Sequence, residues 1–243
     1  MPHSTDSALH FHNVDYSVDD IPILKGITGS FPKGKITTLV GPSGAGKTTL
    51  LKMCNGLISP TSGEIFIHGK PISSYDPIDL RRQVGIALQS APMIKGTVFQ
   101  NLALPLELQN KKLAEQETIG ILEDVGLEQS FVHRKTDDLS GGQRQKVSIA
   151  RTLINQSKIL LLDEITSALD RTSLHEIEQL IVNINRKHGT TIIWITHNLE
   201  QAISIGDFTW VLKEGEVIET GDSDLLKSPT NALVKQFVQG DLR

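Results

Sequence analysis

Between the apolar strand pattern ending at Val40 and the helical run Thr49-Leu50-Leu51-Lys52-Met53-Cys54-Asn55 stands Gly41-Pro42-Ser43-Gly44-Ala45-Gly46-Lys47-Thr48. Few chain segments constrain a fold so tightly, because the spacing Gly-x4-Gly-Lys-Thr works only as a tight turn from a strand into a helix. Glycines let successive backbone N–H groups point inward, and the helix N-terminus, which includes Thr49, adds a partial positive charge of about half a unit. The ligand this geometry suits is a phosphate chain. Lys47 is placed to reach the outer phosphates as a point charge, and the Thr48 hydroxyl to take one place on Mg²⁺.

The strand and helix signals after that loop point to an α/β chain. Leu9 to Tyr16 alternates apolar and polar residues, as does Lys35 to Val40, with turns at Asp19-Asp20 and Pro32-Lys33-Gly34. Both are read as strands of a small β-rich start, joined by Gly63 to Gly69, before the strand Val84 to Leu88. From about Ala91 to Ala150 helical spacing takes over, over Leu113–Val125 and Gln143–Ile154. The apolar strand Ile159 to Leu162, a helix with Leu174, Ile177, Ile181 and Ile184 on one stripe, and the strand Thr191 to Ile195 then predict a parallel sheet. Phe208–Leu212 and Val217–Glu219 form a predicted antiparallel hairpin before a short terminal helix.

Four more polar residues fall at three strand ends, where ligands of open α/β sheets bind. Asp163 and Glu164 end the strand Ile159–Leu162: Asp163 is expected to approach the metal through its water, and Glu164 to polarise the attacking water. His197 follows Thr191–Ile195 and could bond the terminal phosphate, and Gln89, after Val84–Leu88, is the matching neutral ligand. Alone, a loop Asp-Glu, His or Gln is usually a satisfied turn residue; with the phosphate loop they converge.

Composition excludes several classes. The 243 residues are 38% hydrophobic and 21% charged, with net charge -4 and pI near 6.1, so the broad basic field of nucleic-acid binding is missing and no nucleic acid is expected as partner. One cysteine, Cys54, rules out an intrachain disulfide or a cysteine-based metal site. The opening Met1-Pro2-His3-Ser4-Thr5-Asp6 lacks the pattern of a secretory signal, and no stretch approaches the roughly 20 apolar residues of a membrane span. A cytoplasmic location is expected.

Leu139-Ser140-Gly141-Gly142-Gln143, ahead of a helix containing Ala150-Arg151 and just upstream of Asp163-Glu164, completes a combination that resembles the ABC family of ATPases. The resemblance covers almost the whole chain and implies an ABC-type P-loop domain: a mixed central sheet, an N-terminal antiparallel β region and an inserted helical subdomain. It would form one domain over 1–243, with 1–90 and 151–243 as a RecA-like core and 91–150 as the subdomain. It implies that Tyr16 stacks on adenine, that Gln89 is the Q-loop glutamine and touches the metal, that Ser167-Ala168-Leu169-Asp170 is the D-loop with Asp170 near nucleotide, and that His197 is the switch histidine. Ser140, Gly141, Gly142 and Gln143 would face the ATP held by a second copy, giving a homodimer that sandwiches two ATP–Mg²⁺ and drives an integral membrane permease from the inner face of the membrane.

The resemblance leaves the cargo open. The Gln89–Thr97 loop and Glu164–Asp170 resemble subunits of metal (iron) exporters and sugar-nucleotide transporters, and Ile165 replaces a proline common in many importers. Thr97 to Leu106 instead resembles methionine-type importers, and an amino acid or phosphate importer is the alternative. Met93, Ile94 and Phe99, near Val98, could form a groove for a permease helix or belong to the subdomain core. A non-transport ABC ATPase is disfavoured because its usual coiled-coil insertions and zinc cysteines have no place here. A kinase sharing only the phosphate loop is disfavoured by Ser140–Gln143.

Overall fold

A computed structural model describes residues 6–240; the outermost residues of the domain expected over 1–243 lie outside that range. In chain order the elements are β1 (Ser7–Val18), β2 (Ile21–Pro32), β3 (Ile36–Val40), α1 (Lys47–Cys54), β4 (Ser62–Ile67), the short β5 (Lys70–Pro71), α2 (Pro77–Gln83), β6 (Val84–Leu88), α3 (Val98–Glu107), α4 (Glu115–Asp124) and α5 (Gly141–Leu153). They continue as β7 (Ile159–Asp163), α6 (Arg171–His188), β8 (Thr191–Ile195), α7 (Leu199–Ile205), β9 (Phe208–Lys213), β10 (Glu216–Asp222) and α8 (Ala232–Gln239).

Two sheets form. One is antiparallel, in the order β2-β1-β4-β5; the other has six strands in the order β10-β9-β3-β8-β7-β6. Within the second, β9, β3, β8, β7 and β6 run parallel and only β10 is antiparallel. The segment ending at Val40 is therefore a middle strand of the large sheet and not part of the β-rich start. Its alternation misleads because Thr37 and Thr38 are fully buried beside the aliphatic residues, with Thr38 Oγ1 and Thr209 Oγ1 hydrogen-bonded at 2.8 Å.

A strand covered on both faces has no polar side, which explains the unbroken apolar run of β7. Leu160 and Leu162 point to the face packed by α3, α4, α5 and α6. Ile159 and Leu161 point the other way, towards α1 and the antiparallel sheet. The two sheets are joined by aromatic packing, with Phe31 of β2 stacked on Trp210 of β9 at a centroid separation of 4.3 Å.

The helices between β6 and β7 share one apolar cluster with α6 and the sheet, so the inserted segment is packed as part of the main core. Its last helix, α5, runs from Gly141 to Leu153, close to the helical spacing read over Gln143–Ile154. Val98 and Ala91 are buried, Met93 and Phe99 are half-buried against the same cluster, and Ile94 is 39% exposed. The apolar cluster around them is thus mostly core, with Ile94 left on the surface. Asn101, fully buried, holds the preceding loop by accepting from Ile94 N at 2.9 Å and donating to Ile94 O at 3.0 Å.

The helix α6 shows how sequence sets its limits. Asp170 caps its start, Gly189 in the left-handed conformation ends it, and Arg186, Lys187 and His188 occupy the last turn, where cations favour the helix dipole. Ile177, Leu180, Ile181 and Ile184 are buried as the stripe predicts, and Glu178 is buried among them. The short α7 has no counterpart in the periodic pattern, since seven residues carry little periodic signal. Among the described residues, no helix is long and apolar enough to cross a membrane.

Candidate functional site

The carboxyl ends of four adjacent parallel strands collect the polar residues singled out in the sequence. In the order β3, β8, β7, β6 they present the Gly41–Thr48 loop, His197, Asp163-Glu164 and Gln89. Register makes them neighbours: Leu39 and Asp163 both pair with Ile195, and Leu88 pairs with Asp163.

The loop after β3 needs glycine at its two ends. Gly41 has φ +144, and a Cβ there would lie 2.0 Å from the Leu212 carbonyl oxygen; Gly46 has φ +93, and its Cβ would lie 2.6 Å from the Leu24 side chain. Gly46 is also the N-cap of α1 and supplies no side-chain cap, which leaves the first-turn N–H groups to be met from outside. Pro42, Ser43, Gly44 and Ala45 complete the turn, with Ser43 and Gly44 exposed.

Lys47 is 5% exposed and donates from Nζ to the carbonyls of Gly41 and Pro42, each at 2.8 Å. Burial lowers its pKa, an effect opposed by the charges of Glu164 and Asp163. A buried ammonium resting on two neutral carbonyls fits an incoming anion.

Thr48 Oγ1 donates to Asp163 Oδ1 at 3.2 Å, and burial raises the Asp163 pKa although the Thr48 bond works against it. A hydroxyl and a carboxylate are hard oxygen donors of the kind Mg²⁺ takes, with nucleotide phosphates and water completing the shell. These residues therefore fit the metal.

Glu164, the next residue, has φ +50, an uncommon conformation for a residue with a side chain, and it donates its N–H to Ile195 O at 3.2 Å. Its Oε1 lies 2.5 Å from His197 Nε2. Gln89 does not reach the metal donors here: its Nε2 donates to Ser167 Oγ at 2.9 Å, and Ser167 Oγ donates to the Glu164 carbonyl at 2.9 Å. Tyr16 lies one strand from the loop, paired on β1 with Leu24, the residue that touches Gly46.

Ser140 to Gln143 form the N-terminus of α5. Ser140 Oγ accepts from Gln143 N at 3.3 Å and Gln143 Oε1 accepts from Ser140 N at 3.0 Å, a closed capping box. These bonds do not reach the Gly41–Thr48 loop. Gly142 abuts α6: a Cβ on it would lie 2.8 Å from Ser173 Oγ, while Gly141 has Leu169 nearby. Both carboxylate oxygens of Asp170 are taken by Ser173, at 3.0 Å to its N and 2.7 Å to its Oγ, and these bonds lower the Asp170 pKa. In this chain Asp170 caps its own helix.

Buried side chains behind the site went unnoticed in the sequence. Gln145 donates to Leu88 O at 3.1 Å, next to Gln89. Gln201 and Glu178 are hydrogen-bonded to each other at 2.9 Å. The available signal was a polar residue on an apolar stripe, as Glu178 is on α6.

Comparison with known proteins gives a consistent result. The family model described as ABC transporter matches residues 24–167. The chain is 44% identical to the YjkB protein of Bacillus subtilis (strain 168) over 222 residues, covering 91% of this chain and 88% of that one. It is 39% identical to the methionine import ATP-binding protein MetN of Pasteurella multocida (strain Pm70) over 232 residues, 93% of this chain and 67% of that one. Among solved structures it superposes with TM-score 0.77 and 31% identity on the ATP-binding cassette MJ0796, described as dimeric, post-hydrolysis and bound to ADP and Pi, over 88% of this chain and 98% of that one. With the phosphate loop, the strand-end carboxylates and the capped Ser-Gly-Gly-Gln helix on one framework, the chain belongs to the ABC transporter family, as one of its ATP-binding ATPase domains.

Proposed function

We propose that this chain is the motor subunit of a membrane transporter, binding ATP and Mg²⁺ at the strand ends and hydrolysing ATP as a homodimer attached to a separate permease. The observation that carries the reading is the meeting of Lys47, Asp163, Glu164 and His197 at the carboxyl ends of neighbouring parallel strands, with Glu164 Oε1 and His197 Nε2 2.5 Å apart.

Lys47 would exchange its two carbonyl partners for phosphate oxygens, with the Gly41–Thr49 backbone holding the rest of the chain of phosphates. Thr48 and Asp163 would hold Mg²⁺, which when bound neutralises charge on the phosphates. Glu164 would take a proton from the attacking water as its oxygen bonds to the terminal phosphorus; the bond from that phosphorus to the bridging oxygen breaks, leaving ADP and phosphate. His197 and Gln89 flank that position, and Tyr16 would cover the base.

The side chains of Ser140 and Gln143 close back on their own turn, and the N–H groups of Gly141 and Gly142 at the same helix start are suited to a nucleotide on a second copy, as the dimeric relative suggests. Closure would follow because ATP binds the closed pair better than the open one. The half-buried Met93 and Phe99 and exposed Ile94 lie in the segment following Gln89, the expected contact with the permease, which would hold the chain at the inner face of the membrane. Import is the favoured direction, since a named relative is a methionine import protein and Thr97–Leu106 resembles that group. Metal export has no such support. The test is co-purification of the chain with an integral membrane protein and ATP-dependent amino acid uptake by the reconstituted pair; flux only outward, or a partner that is nucleic acid, would overturn it.

A further inference from the structure

Behind the contact between Glu164 and His197 runs a buried polar thread that has no part in the roles above. Its centre is Gln201, on α7 and 1% exposed. Its backbone N–H donates to Asn198 Oδ1 at 3.2 Å, and Asn198 donates its own N–H to Thr196 Oγ1 at 3.0 Å. The two residues flanking His197 are thus tied to Gln201.

The side chain reaches the other loop. Gln201 Nε2 donates to Glu178 Oε1 at 2.9 Å, and the Thr166 hydroxyl lies 3.3 Å from the same nitrogen and 3.4 Å from Gln201 Oε1. A carboxylate oxygen accepts from the amide nitrogen, so Glu178 fixes that nitrogen towards α6, and Thr166 Oγ1 lies within reach of both amide atoms. The second Glu178 oxygen faces His175 Nδ1 at 2.9 Å. Thr166 is itself 6% exposed and stands two residues beyond Glu164, whose φ of +50 must be held by its surroundings. An aliphatic side chain would fill this space without needing partners; an amide joined to both loops and to α6 sets their relative positions.

We propose that Gln201 is a positioning residue for hydrolysis, locking the Thr166 loop to the Asn198 turn so that Glu164 and His197 meet, with Glu178 setting its orientation. This rests on the roles given above to Glu164 and His197.

The test measures kcat, KM, ATP binding and melting temperature on the full chain. Gln201→Leu should lower kcat tenfold or more, on the order of what a small misplacement of catalytic groups costs, with KM and ATP binding within about twofold of the parent. Gln201→Glu sets two carboxylates face to face and should lose kcat likewise. Adding Glu178→Gln to it exchanges donor and acceptor and should restore kcat, which a generic loss of packing would not allow. Glu164→Gln separates the positioning role of Gln201 from the roles of Glu164 and His197. If it leaves turnover intact, the site assignment fails. If it abolishes turnover while Gln201→Leu keeps the parent kcat, only the positioning role is overturned. Should Gln201→Leu fail to fold, the exchanged pair decides: restored kcat supports the role, and a folded double variant still at the single variant's kcat overturns it.

Discussion

Glu164 Oε1 and His197 Nε2 stand 2.5 Å apart across the ends of β7 and β8. Neighbouring parallel strands put their last residues side by side, so the contact follows from the β7–β8 register that pairs Asp163 with Ile195. The residue proposed to accept the proton and the one proposed to donate to the terminal phosphate are thereby set next to each other without a long loop.

Glu164→Gln keeps the size of the side chain and removes its basicity. Turnover should fall a hundredfold or more while ATP still binds, because the loss falls on the transition state. Steady-state phosphate release and equilibrium nucleotide binding on the same sample check this; normal turnover would mean that another group takes the proton.

The second prediction concerns pH. Burial raises the Asp163 pKa above its unfolded value, so in the window starting near the ordinary carboxylate value of about 4 the native chain holds more protons than the unfolded one. Stability contributed at this position is then present at low pH and lost as pH rises through the folded pKa. Asp163→Asn should therefore melt higher than the parent at neutral pH, by a few degrees at most, with the gap closing below about pH 4. Thermal melts from pH 4 to 8 without nucleotide would show it. ATP and Mg²⁺ should raise the parent's melting temperature more than the variant's.

Much of this site is legible in sequence because each part is a polar residue at the end of an apolar strand, a pattern that local spacing records. Asp163, Glu164, His197 and Gln89 are found in that way, and Lys47 by the spacing of the glycine loop. What is not local is not legible. β3 alternates like an edge strand yet lies in the middle of the large sheet, since Thr37 and Thr38 are buried by neighbours distant in sequence. Gln145 and Gln201 acquire meaning only once folding brings them to Leu88 and Glu178. Asp170 caps α6 through Ser173, three residues on, a local role that its sequence setting records.

Gly142→Ala tests the packing of α5 on α6. Alanine favours a helix over glycine by about 1 kcal/mol, but the added Cβ would lie 2.8 Å from Ser173 Oγ and 2.9 Å from Ser173 Cβ. Ser173 could move only by giving up its bonds to Asp170, so the clash should win, with a net destabilisation of about 1–3 kcal/mol. Urea unfolding with an unchanged slope would report it; a stabilised variant would show that α6 yields freely.

Ser140→Arg tests whether the α5 N-terminus serves a nucleotide held by another copy. The substitution removes the oxygen that accepts from Gln143 N, costing the cap about 1 kcal/mol, and it places a bulky cation at the mouth of the N–H face. Within one chain Ser140 makes no bond to the Gly41–Thr48 loop, so ATP binding by the monomer should stay within about twofold of the parent, while hydrolysis and ATP-dependent dimerisation are lost. Mixing the variant with Lys47→Ala sharpens the comparison. Such a mixed pair pairs one intact Lys47 loop with one intact Ser140 turn, so partial turnover should return although neither variant is active alone. Sedimentation with ATP and phosphate release from the mixture give the two readings, and full turnover by Ser140→Arg alone would mean that each chain hydrolyses ATP unaided.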